Sequence, residues 1–378
     1  MVKRTTQQEF NAISSFLYLA FELGSKDWKL GFSIGHGQKT RIRAITSGDV
    51  ESLRQEIKAA KERFKLPKQC QVMSCYEAGR DGFWLHRFLT SEGIQNVIVD
   101  SSSIEVNRRK RRAKSDRLDA NSLVTMLMRS TYERKVWSTV RVPSVEDEDR
   151  RQLSRELATL DKERTRVRNR IRAFLITQGI KIRGSMDRLD SKLEHLQTWD
   201  KQPIPPGLRN RIRREWERLM FLNEQIRAAR REREDVEESE PGVEKIQRLQ
   251  QLRAIDSSAW PMVRELFGWR HFKNGKQLGS LCGLTPTPYQ SGTSYGEQGI
   301  SKAGITHVRR IAIELAWSWI RYQPKSQLTC WFNDRFQKGG KKSRKVGIVA
   351  LARKLIIALW RYLETGVLPE GAELKATI

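Results

Sequence analysis

Phe16-Leu-Tyr-Leu-Ala-Phe-Glu-Leu23 is an apolar run of strand length that ends at Gly24. Short apolar runs bounded by turn residues are typical of β-strands. Two further runs follow over residues 28–34 and 40–45, and a Gly-His-Gly turn separates them. Because short runs joined by tight turns favour antiparallel pairing, the sequence predicts a three-stranded meander at this end of the chain.

The stretch after the meander alternates between helical and strand patterns. The predicted elements are, in chain order, a helix at 49–64, a strand at 71–76, a helix at 83–90, a strand at 96–100 and a helix at 116–129. The first of these helices is capped by Ser47 or Asp49 and stops before Pro67. The order β-β-β-α-β-α-β with one further helix is the topology of a ribonuclease-H-like domain. We therefore predict an α/β ribonuclease-H-like fold for this part of the chain.

Four carboxylates occur at informative places in this predicted domain. Glu22 lies inside the first apolar run, and Glu77 ends the fourth predicted strand. Asp116 and Asp119 are three residues apart at the start of a helix and share one face of it. Taken singly, a glutamate at a strand end is most often solvated, and acids in a first helical turn most often complement the helix dipole. Taken together they predict a Mg²⁺ site, because clustered carboxylates repel one another without a cation and oxygen ligands suit Mg²⁺.

The chain of 378 residues carries a large excess of positive charge. Its 71 Lys and Arg residues outnumber 44 Asp and Glu residues, which leaves a formal net charge of +27. Such an excess predicts salt-sensitive attraction to a polyanion, with nucleic acid as the first candidate and an anionic membrane as the second. Directly before the aspartate pair lies a basic run suited to a phosphate backbone, made of Arg108, Arg109, Lys110, Arg111, Arg112 and Lys114.

The cysteines and the apolar segments indicate a cytoplasmic protein. Four cysteines form neither a CxxC pair nor a dense disulfide pattern, so a reducing setting is expected and a structural zinc site is not. No signal-peptide pattern opens the sequence. The most apolar predicted helix, residues 346–363, contains Arg353, Lys354 and Arg361, which disfavours a membrane span. We therefore expect a soluble, cytoplasmic protein with no membrane partner.

Long, charge-dense helical patterns occupy residues 146–240. Apolar residues recur there at heptad-like spacing in two stripes, namely Leu153, Leu157, Leu160, Val167, Ile171 and Phe174, then Trp216, Leu219, Leu222, Ile226 and Ala229. The stripes predict a coiled coil of two antiparallel helices that pack on each other or on a partner subunit. Their arginine-rich outer faces are candidates for a nucleic-acid backbone. The acidic run at 232–240, which ends at Pro241-Gly242, is predicted to be a linker.

Two phrases stand out in the last third of the chain. Leu281-Cys-Gly-Leu-Thr-Pro-Thr-Pro-Tyr-Gln-Ser-Gly292 is followed by Gly299-Ile-Ser-Lys-Ala-Gly-Ile-Thr-His-Val-Arg-Arg310, ahead of a long apolar helix. Short helices are also predicted at 247–255 and 258–267, with a weak resemblance to a helix-hairpin-helix element. By itself Ser291 would be an ordinary turn residue, and no Ser-His-Asp arrangement is visible. This region is therefore predicted to be small and mostly helical.

Together these motifs resemble a known family. Glu22, Glu77, Asp116 and Asp119 are similar to the DEDD tetrad of bacterial insertion-sequence transposases, whose catalytic domain resembles the RuvC Holliday-junction resolvase. The two C-terminal phrases match the family's GLxP…SG and ISKxGxxxxR phrases, in the family's order. One position departs from the pattern, because the family usually has Asp in a GIDVSK-like phrase where this chain has Ala20-Phe-Glu-Leu-Gly-Ser-Lys26.

The resemblance implies an RNA-guided DNA recombinase that moves an insertion sequence. Ser291 would be its catalytic serine, with Ser301 as the second choice, and would form a transient 5′-phosphoserine link to DNA. The four carboxylates would hold Mg²⁺, and DNA phosphates would be held by Lys302, His307, Arg309 and Arg310. In this family a structured noncoding bridge RNA pairs with donor and target double-stranded DNA. The acids and the serine come from different protomers, which implies a dimer that pairs into a tetramer and acts at the bacterial nucleoid.

Three domains are predicted on this basis. They are a RuvC-like catalytic domain at 1–145, a coiled-coil helical region at 146–240 and a C-terminal transposase domain with the catalytic serine at 241–378. Two other functions fit the same features. A Holliday-junction resolvase-type endonuclease would use the carboxylates with water as the nucleophile, and it would not need Ser291. A non-catalytic nucleic-acid-binding scaffold would explain the charge alone.

Overall fold

A computed structural model describes residues 16–105, 116–237, 241–291 and 294–376 of the chain. The chain forms two compact units, residues 1–142 and residues 143–378. The second unit contains both the long helices and the C-terminal segment, which the sequence predicts as separate domains. The division into three domains therefore stays a prediction.

A five-stranded mixed sheet forms the centre of the first unit. Its strands are β1 Phe16–Leu23, β2 Asp27–Ser33, β3 Arg41–Thr46, β4 Gln71–Glu77 and β5 Gln95–Val99. The order across the sheet is β3-β2-β1-β4-β5. The first three strands pair antiparallel, whereas β4 pairs parallel with both β1 and β5. The predicted meander with two added strands is confirmed, and β1 has the predicted bounds.

Helices cover both faces of this sheet. They are α1 Val50–Arg63, α2 Trp84–Ser91 and α3 Asp116–Arg129, and a 3-10 turn, Ser101–Ser103, follows β5. Because strand side chains alternate, Leu17, Leu19 and Phe21 pack with α1 and α2. The intervening Tyr18 and Ala20 pack with α3 on the opposite face. The predicted α/β layering is confirmed.

The second unit is mainly helical. Its helices are α4 Val145–Asp149, α5 Gln152–Ile176, α6 Leu189–Leu193, α7 Pro206–Glu237, α8 Val243–Gln250, α9 Ala259–Met262, α10 Gly275–Leu281, α11 Thr306–Tyr322, α12 Gln327–Phe332 and α13 Lys341–Thr365. Single π-helical turns, Val263–Phe267 and Asn333–Gln337, extend α9 and α12. Two antiparallel strands, β6 Pro286–Ser291 and β7 Ser294–Ile300, form a hairpin before α11.

Helices α5 and α7 pack against each other in antiparallel orientation. Arg170 and Phe174, late in α5, contact Glu215 and Arg211, early in α7. The Arg170–Glu215 ion pair measures 2.7 Å, and the Arg211 guanidinium lies 4.3 Å from the centre of the Phe174 ring. Both apolar stripes are buried or half-buried, although Leu153 and Leu157 of the first stripe pack against the C-terminal core. The predicted antiparallel pairing is confirmed, while its coiled-coil supercoiling stays a prediction.

Two helix ends and one added hairpin in the second unit differ from the sequence prediction. Helix α7 continues to Glu237, so most of the predicted acidic linker is helical. Arginines alternate with the acids there and offset their mutual repulsion. Helix α8 ends at Gln250, because Leu252 turns aside to pair with Leu374 and Ala254 adopts a φ of +80°. The hairpin is an added β element in a region predicted to be mostly helical.

Large apolar side chains fill a core in each unit. Trp28 in the first unit and Trp319 in the second are both fully buried. The four cysteines, all within the described ranges, form no disulfide, and three of them are buried. Across the described ranges, no helix combines the length and the apolar character that a membrane crossing requires.

Candidate catalytic site

The two predicted strand-end glutamates are neighbours in the sheet. Parallel strands β1 and β4 are paired in register up to Phe21 and Tyr76, and Glu22 and Glu77 are the next residues of the two strands. Adjacent strands lie about 4.8 Å apart, so the two glutamates stand side by side at one edge. Phe21 and Tyr76 face α1 and α2, and the alternation therefore turns both glutamates toward the face that α3 covers.

Helix α3 approaches this face closely at its first turn because of Gly31. A Cβ at Gly31 would lie 3.0 Å from Cγ2 of Val124 and 3.3 Å from the Ala120 carbonyl oxygen, so a larger residue would press on the helix. In the sheet Gly31 is the partner of Ala20, two residues before Glu22. The half-buried Asp119, next to Ala120, thus lies on the helix turn that covers this part of the sheet.

The predicted metal ligands are only partly brought together in the described structure. Glu22 and Glu77 form the adjacent pair, and Asp119 lies on the covering helix. The backbone of Asp116 begins α3, but its side chain lies outside the described residues. Within the described part of the chain, no three His, Cys, Asp or Glu side chains form a metal-binding group. The carboxylate pair and its oxygen donors fit a hard divalent cation, and the full four-ligand site stays a proposal.

A buried cysteine lies close to this edge of the sheet. Cys75 shares the α3 face and precedes Glu77 by two residues, and it is fully buried. Burial raises the pKa of its thiol well above the usual range, so the sulfur stays protonated. Its Sγ lies 3.8 Å from the Leu123 carbonyl oxygen of α3. The side chains predicted to bind the ion are all carboxylates, which are oxygen ligands.

The predicted nucleophile lies on the hairpin of the second unit. Ser291 ends β6, and its backbone pairs with Ser294 at the start of β7. The side chain of Ser291 lies outside the described residues, as do Gly292 and Thr293 between the strands. Ser301, the second choice, is an exposed residue just after β7, and its backbone N–H donates to the Thr285 carbonyl at 2.9 Å.

Two family models match different parts of the chain. A DEDD-type transposase model of the IS110 group matches residues 36–178, and a model of the IS116/IS110/IS902 transposase family matches residues 247–329. The protein y4rJ of Sinorhizobium fredii, named as a transposase, is 37% identical over 381 residues, which cover 95% of this chain and 94% of that protein. This chain belongs to the IS110-type DEDD transposases.

More distant relatives of the transposase are named for the insertion sequences that they serve. The transposase for IS1533 of Leptospira borgpetersenii is 25% identical over 75% of this chain and 82% of its own length. The transposase for IS1328 of Yersinia enterocolitica is 26% identical over 55% of this chain and 60% of its own length. The chain is therefore a DNA-processing enzyme of a bacterial insertion sequence.

The predicted phosphate-binding residues have different environments in the transposase. The basic run Arg108–Arg112 with Lys114 lies outside the described residues. Lys302 is exposed with a φ of +57°, and Arg310 is exposed, 3.9 Å from Glu314. Half-buried His307 has a lowered pKa, chiefly because burial disfavours its charged form. Its neutral form is therefore favoured, and its role in phosphate binding stays a prediction.

Arg309 is engaged by the protein itself. Its guanidinium donates to the carbonyls of Cys282 at 3.3 Å and Lys302 at 3.0 Å, and to the Thr306 hydroxyl at 3.2 Å. These contacts tie together the two loops on either side of the hairpin. Sequence reasoning missed this role, although the family phrases place a glycine in each loop and the arginine one helical turn into α11.

Proposed function

We propose that this transposase cuts and rejoins donor and target DNA through a 5′-phosphoserine intermediate on Ser291, assisted by Mg²⁺ at the carboxylates. The observation that carries the proposal is the adjacent placement of Glu22 and Glu77 at the ends of the parallel strands β1 and β4, on the sheet face that packs against α3. Two-metal sites of this kind serve nucleases and other enzymes that act on phosphodiesters, and clustered carboxylates can hold such metals.

The carboxylates would hold the metal at the scissile phosphate. Glu22, Glu77, Asp116 and Asp119 supply the oxygen donors that Mg²⁺ prefers. When bound, the metal supplies charge stabilisation to the phosphate oxygens. Glu22 stands where the family usually has Asp, and its extra methylene lets the carboxylate reach further from the same backbone position.

The serine would carry the covalent step. Its hydroxyl oxygen attacks the phosphorus while the bond from phosphorus to the 3′ oxygen breaks. The proton lost by the serine is balanced by the proton gained by the departing 3′ oxygen, which gives a 5′-phosphoserine ester and a free 3′-hydroxyl. Attack by the 3′-hydroxyl of the exchanged strand on this ester rejoins the DNA and regenerates Ser291. The energy of the phosphodiester bond is conserved, so no high-energy cofactor is needed.

The partners follow from the charge and the family. A net charge of +27 supports simultaneous binding of a structured noncoding bridge RNA and of two DNA duplexes. We propose that the bridge RNA selects the donor and target sequences by base pairing. The transposase acts at the nucleoid as a homo-oligomer, a dimer that pairs into a tetramer.

A trapping experiment tests the proposal. Purified transposase, the noncoding RNA of its element, end-labelled donor duplex and Mg²⁺ are mixed and resolved on a denaturing gel. We expect a DNA–protein adduct that Ser291→Ala and Glu77→Gln abolish and that Ser294→Ala, on the same hairpin, retains. Cleaved DNA without an adduct, unaffected by Ser291→Ala, would favour the resolvase-type reaction with water.

A further inference from the structure

The loops that flank the β6–β7 hairpin cross each other at close range. The Ile305 N–H donates to the Leu281 carbonyl at 2.9 Å, and the Lys302 N–H donates to the Gly283 carbonyl at 3.2 Å. These backbone bonds join residues 281–285, which lead into β6, to residues 301–305, which leave β7. The crossing is thus the base from which the hairpin projects.

Two glycines make the crossing possible. A Cβ at Gly283 would overlap the Ala303 carbonyl oxygen and Nη1 of Arg309, and a Cβ at Gly304 would overlap the Leu281 carbonyl oxygen. Gly283 has a φ of +64° and Gly304 a φ of +107°, which other residues rarely adopt. Any side chain at either position therefore separates the two loops.

Arg309 closes the crossing from the first turns of α11. Its Nη1 donates to one carbonyl of each loop, Cys282 and Lys302, and its Nη2 donates to Thr306. Both N–H groups of Nη1 are therefore used within the protein. The neighbouring Arg310 is exposed, and within the described residues its partners are Glu314 at 3.9 Å and His307 at 3.5 Å. The two adjacent arginines thus have different tasks.

We propose that Arg309 is a positioning residue, which with Gly283 and Gly304 forms a clamp that sets the position of the hairpin carrying Ser291. This inference rests on the proposed function of Ser291 as the nucleophile. It replaces the predicted role of Arg309 as a ligand of DNA phosphate, and it leaves that role to Arg310. The clamp thereby explains why the two family phrases contain Gly283, Gly304 and Arg309: all three residues hold the same loop crossing together.

The length of the hairpin amplifies small changes at the clamp. Ser291 lies six residues beyond Thr285, or about 20 Å at a rise of about 3.3 Å per residue. A rotation of about 10° at the base would therefore shift the end of β6 by about 3.5 Å. A misplacement of about 1 Å can slow a reaction about 100-fold, because the attacking atom leaves its reactive geometry.

Two variants distinguish the positive charge of residue 309 from the geometry of its hydrogen bonds. Arg309→Lys keeps the positive charge but cannot reach two carbonyls and a hydroxyl with a rigid planar fork. Gly304→Ala changes no charge and opens the crossing. We expect both variants to lower the rate of adduct formation about 100-fold while the DNA dissociation constant and its salt dependence stay at the wild-type values. Arg310→Ala serves as the matched control, and it should reduce the salt slope by about 1.

Hydrogen exchange gives a readout that does not depend on catalysis. Backbone amides of β6 and β7 should exchange faster in Arg309→Lys and in Gly304→Ala, and at the wild-type rate in Ser291→Ala. The clamp would be contradicted if Arg309→Lys exchanged its amides and formed the adduct at wild-type rates while Arg309→Ala reduced the salt slope of DNA binding by about 1. Arg309 would then be a ligand of DNA phosphate, as the sequence predicted. If the wild-type protein forms no adduct, the proposed function fails, whereas hydrogen exchange still decides whether the clamp exists.

Discussion

Glu22 and Glu77 end two neighbouring parallel strands one residue beyond the paired Phe21 and Tyr76, on the sheet face that α3 covers. The parallel pairing sets this relationship, because strands that run the same way bring their carboxyl ends to one edge. The alternation of side chains then directs both carboxylates to the same face. A divalent cation at this edge would therefore have oxygen ligands from both strands.

Loss of one strand-end carboxylate should weaken cation binding directly. We expect Glu77→Gln to reduce the affinity for Mn²⁺, used as a probe for Mg²⁺, at least tenfold, because it removes a charged ligand from the pair. Asp27→Asn is the control, since Asp27 is an exposed acid at the start of β2. Isothermal titration calorimetry without nucleic acid measures the Mn²⁺ affinity of both variants. Equal affinities in the two variants would show that the strand-end pair does not hold the ion.

The approach of α3 to the sheet should be sensitive to the size of residue 31. Gly31→Ala places a methyl group 3.0 Å from Val124, and overpacking of this kind costs about 1–3 kcal/mol. Gly35→Ala is the matched control, because a Cβ there has no atom within 4 Å. Urea unfolding compares the two variants. A Gly31→Ala protein as stable as Gly35→Ala would mean that the helix has room to move.

An ion pair that involves a buried carboxylate should contribute to the stability of the second unit. Arg155 of α5 donates to Glu265 of the π-helical turn at 3.0 Å, and the Glu265 side chain is only 2% exposed. Arg155→Ala leaves that carboxylate buried without its partner and should cost about 3 kcal/mol. Arg164→Ala breaks a pair with the more exposed Asp161, so it should cost less than about 1 kcal/mol. Thermal unfolding measures the stability of both variants. If Arg155→Ala and Arg164→Ala lost similar amounts of stability, the greater contribution expected from the Arg155–Glu265 pair would be contradicted.

Acid should destabilise the first unit through His86. Ser74 donates to Asn96, whose amide donates in turn to Nδ1 of His86 at 2.8 Å, so the ring must keep a lone pair there. Burial and the nearby Arg87 lower the pKa of His86. The unfolded chain therefore binds the proton first, and stability is lost as the pH falls below about 6.5.

His86→Gln should flatten this pH dependence. Urea unfolding at pH 5 and at pH 7.5 gives the change in the free energy of unfolding between the two pH values, for the wild-type protein and for the variant. If the free energy of unfolding changes as much between pH 5 and pH 7.5 in His86→Gln as in the wild-type protein, another group causes the acid sensitivity.

Local patterns in the sequence were sufficient for the first unit. The apolar run of β1 and the helix predicted at 116–129 have the observed bounds, and Glu22 stood out as a carboxylate inside an apolar run. The hairpin was missed because Pro286, Pro288 and several glycines weaken its strand pattern. The clamp depends on loops some twenty residues apart, and no local pattern shows that Gly283 and Gly304 meet.

Mass spectrometry of the trapped adduct tests the central claim most directly. After nuclease digestion, trypsin releases residues 277–302, a peptide that contains both candidate nucleophiles, Ser291 and Ser301. Fragmentation then locates the nucleotide that remains attached through its 5′-phosphate. We predict that the modification lies on Ser291. A nucleotide on Ser301, or an unmodified peptide from a reaction that has cleaved its DNA, would contradict the proposed mechanism.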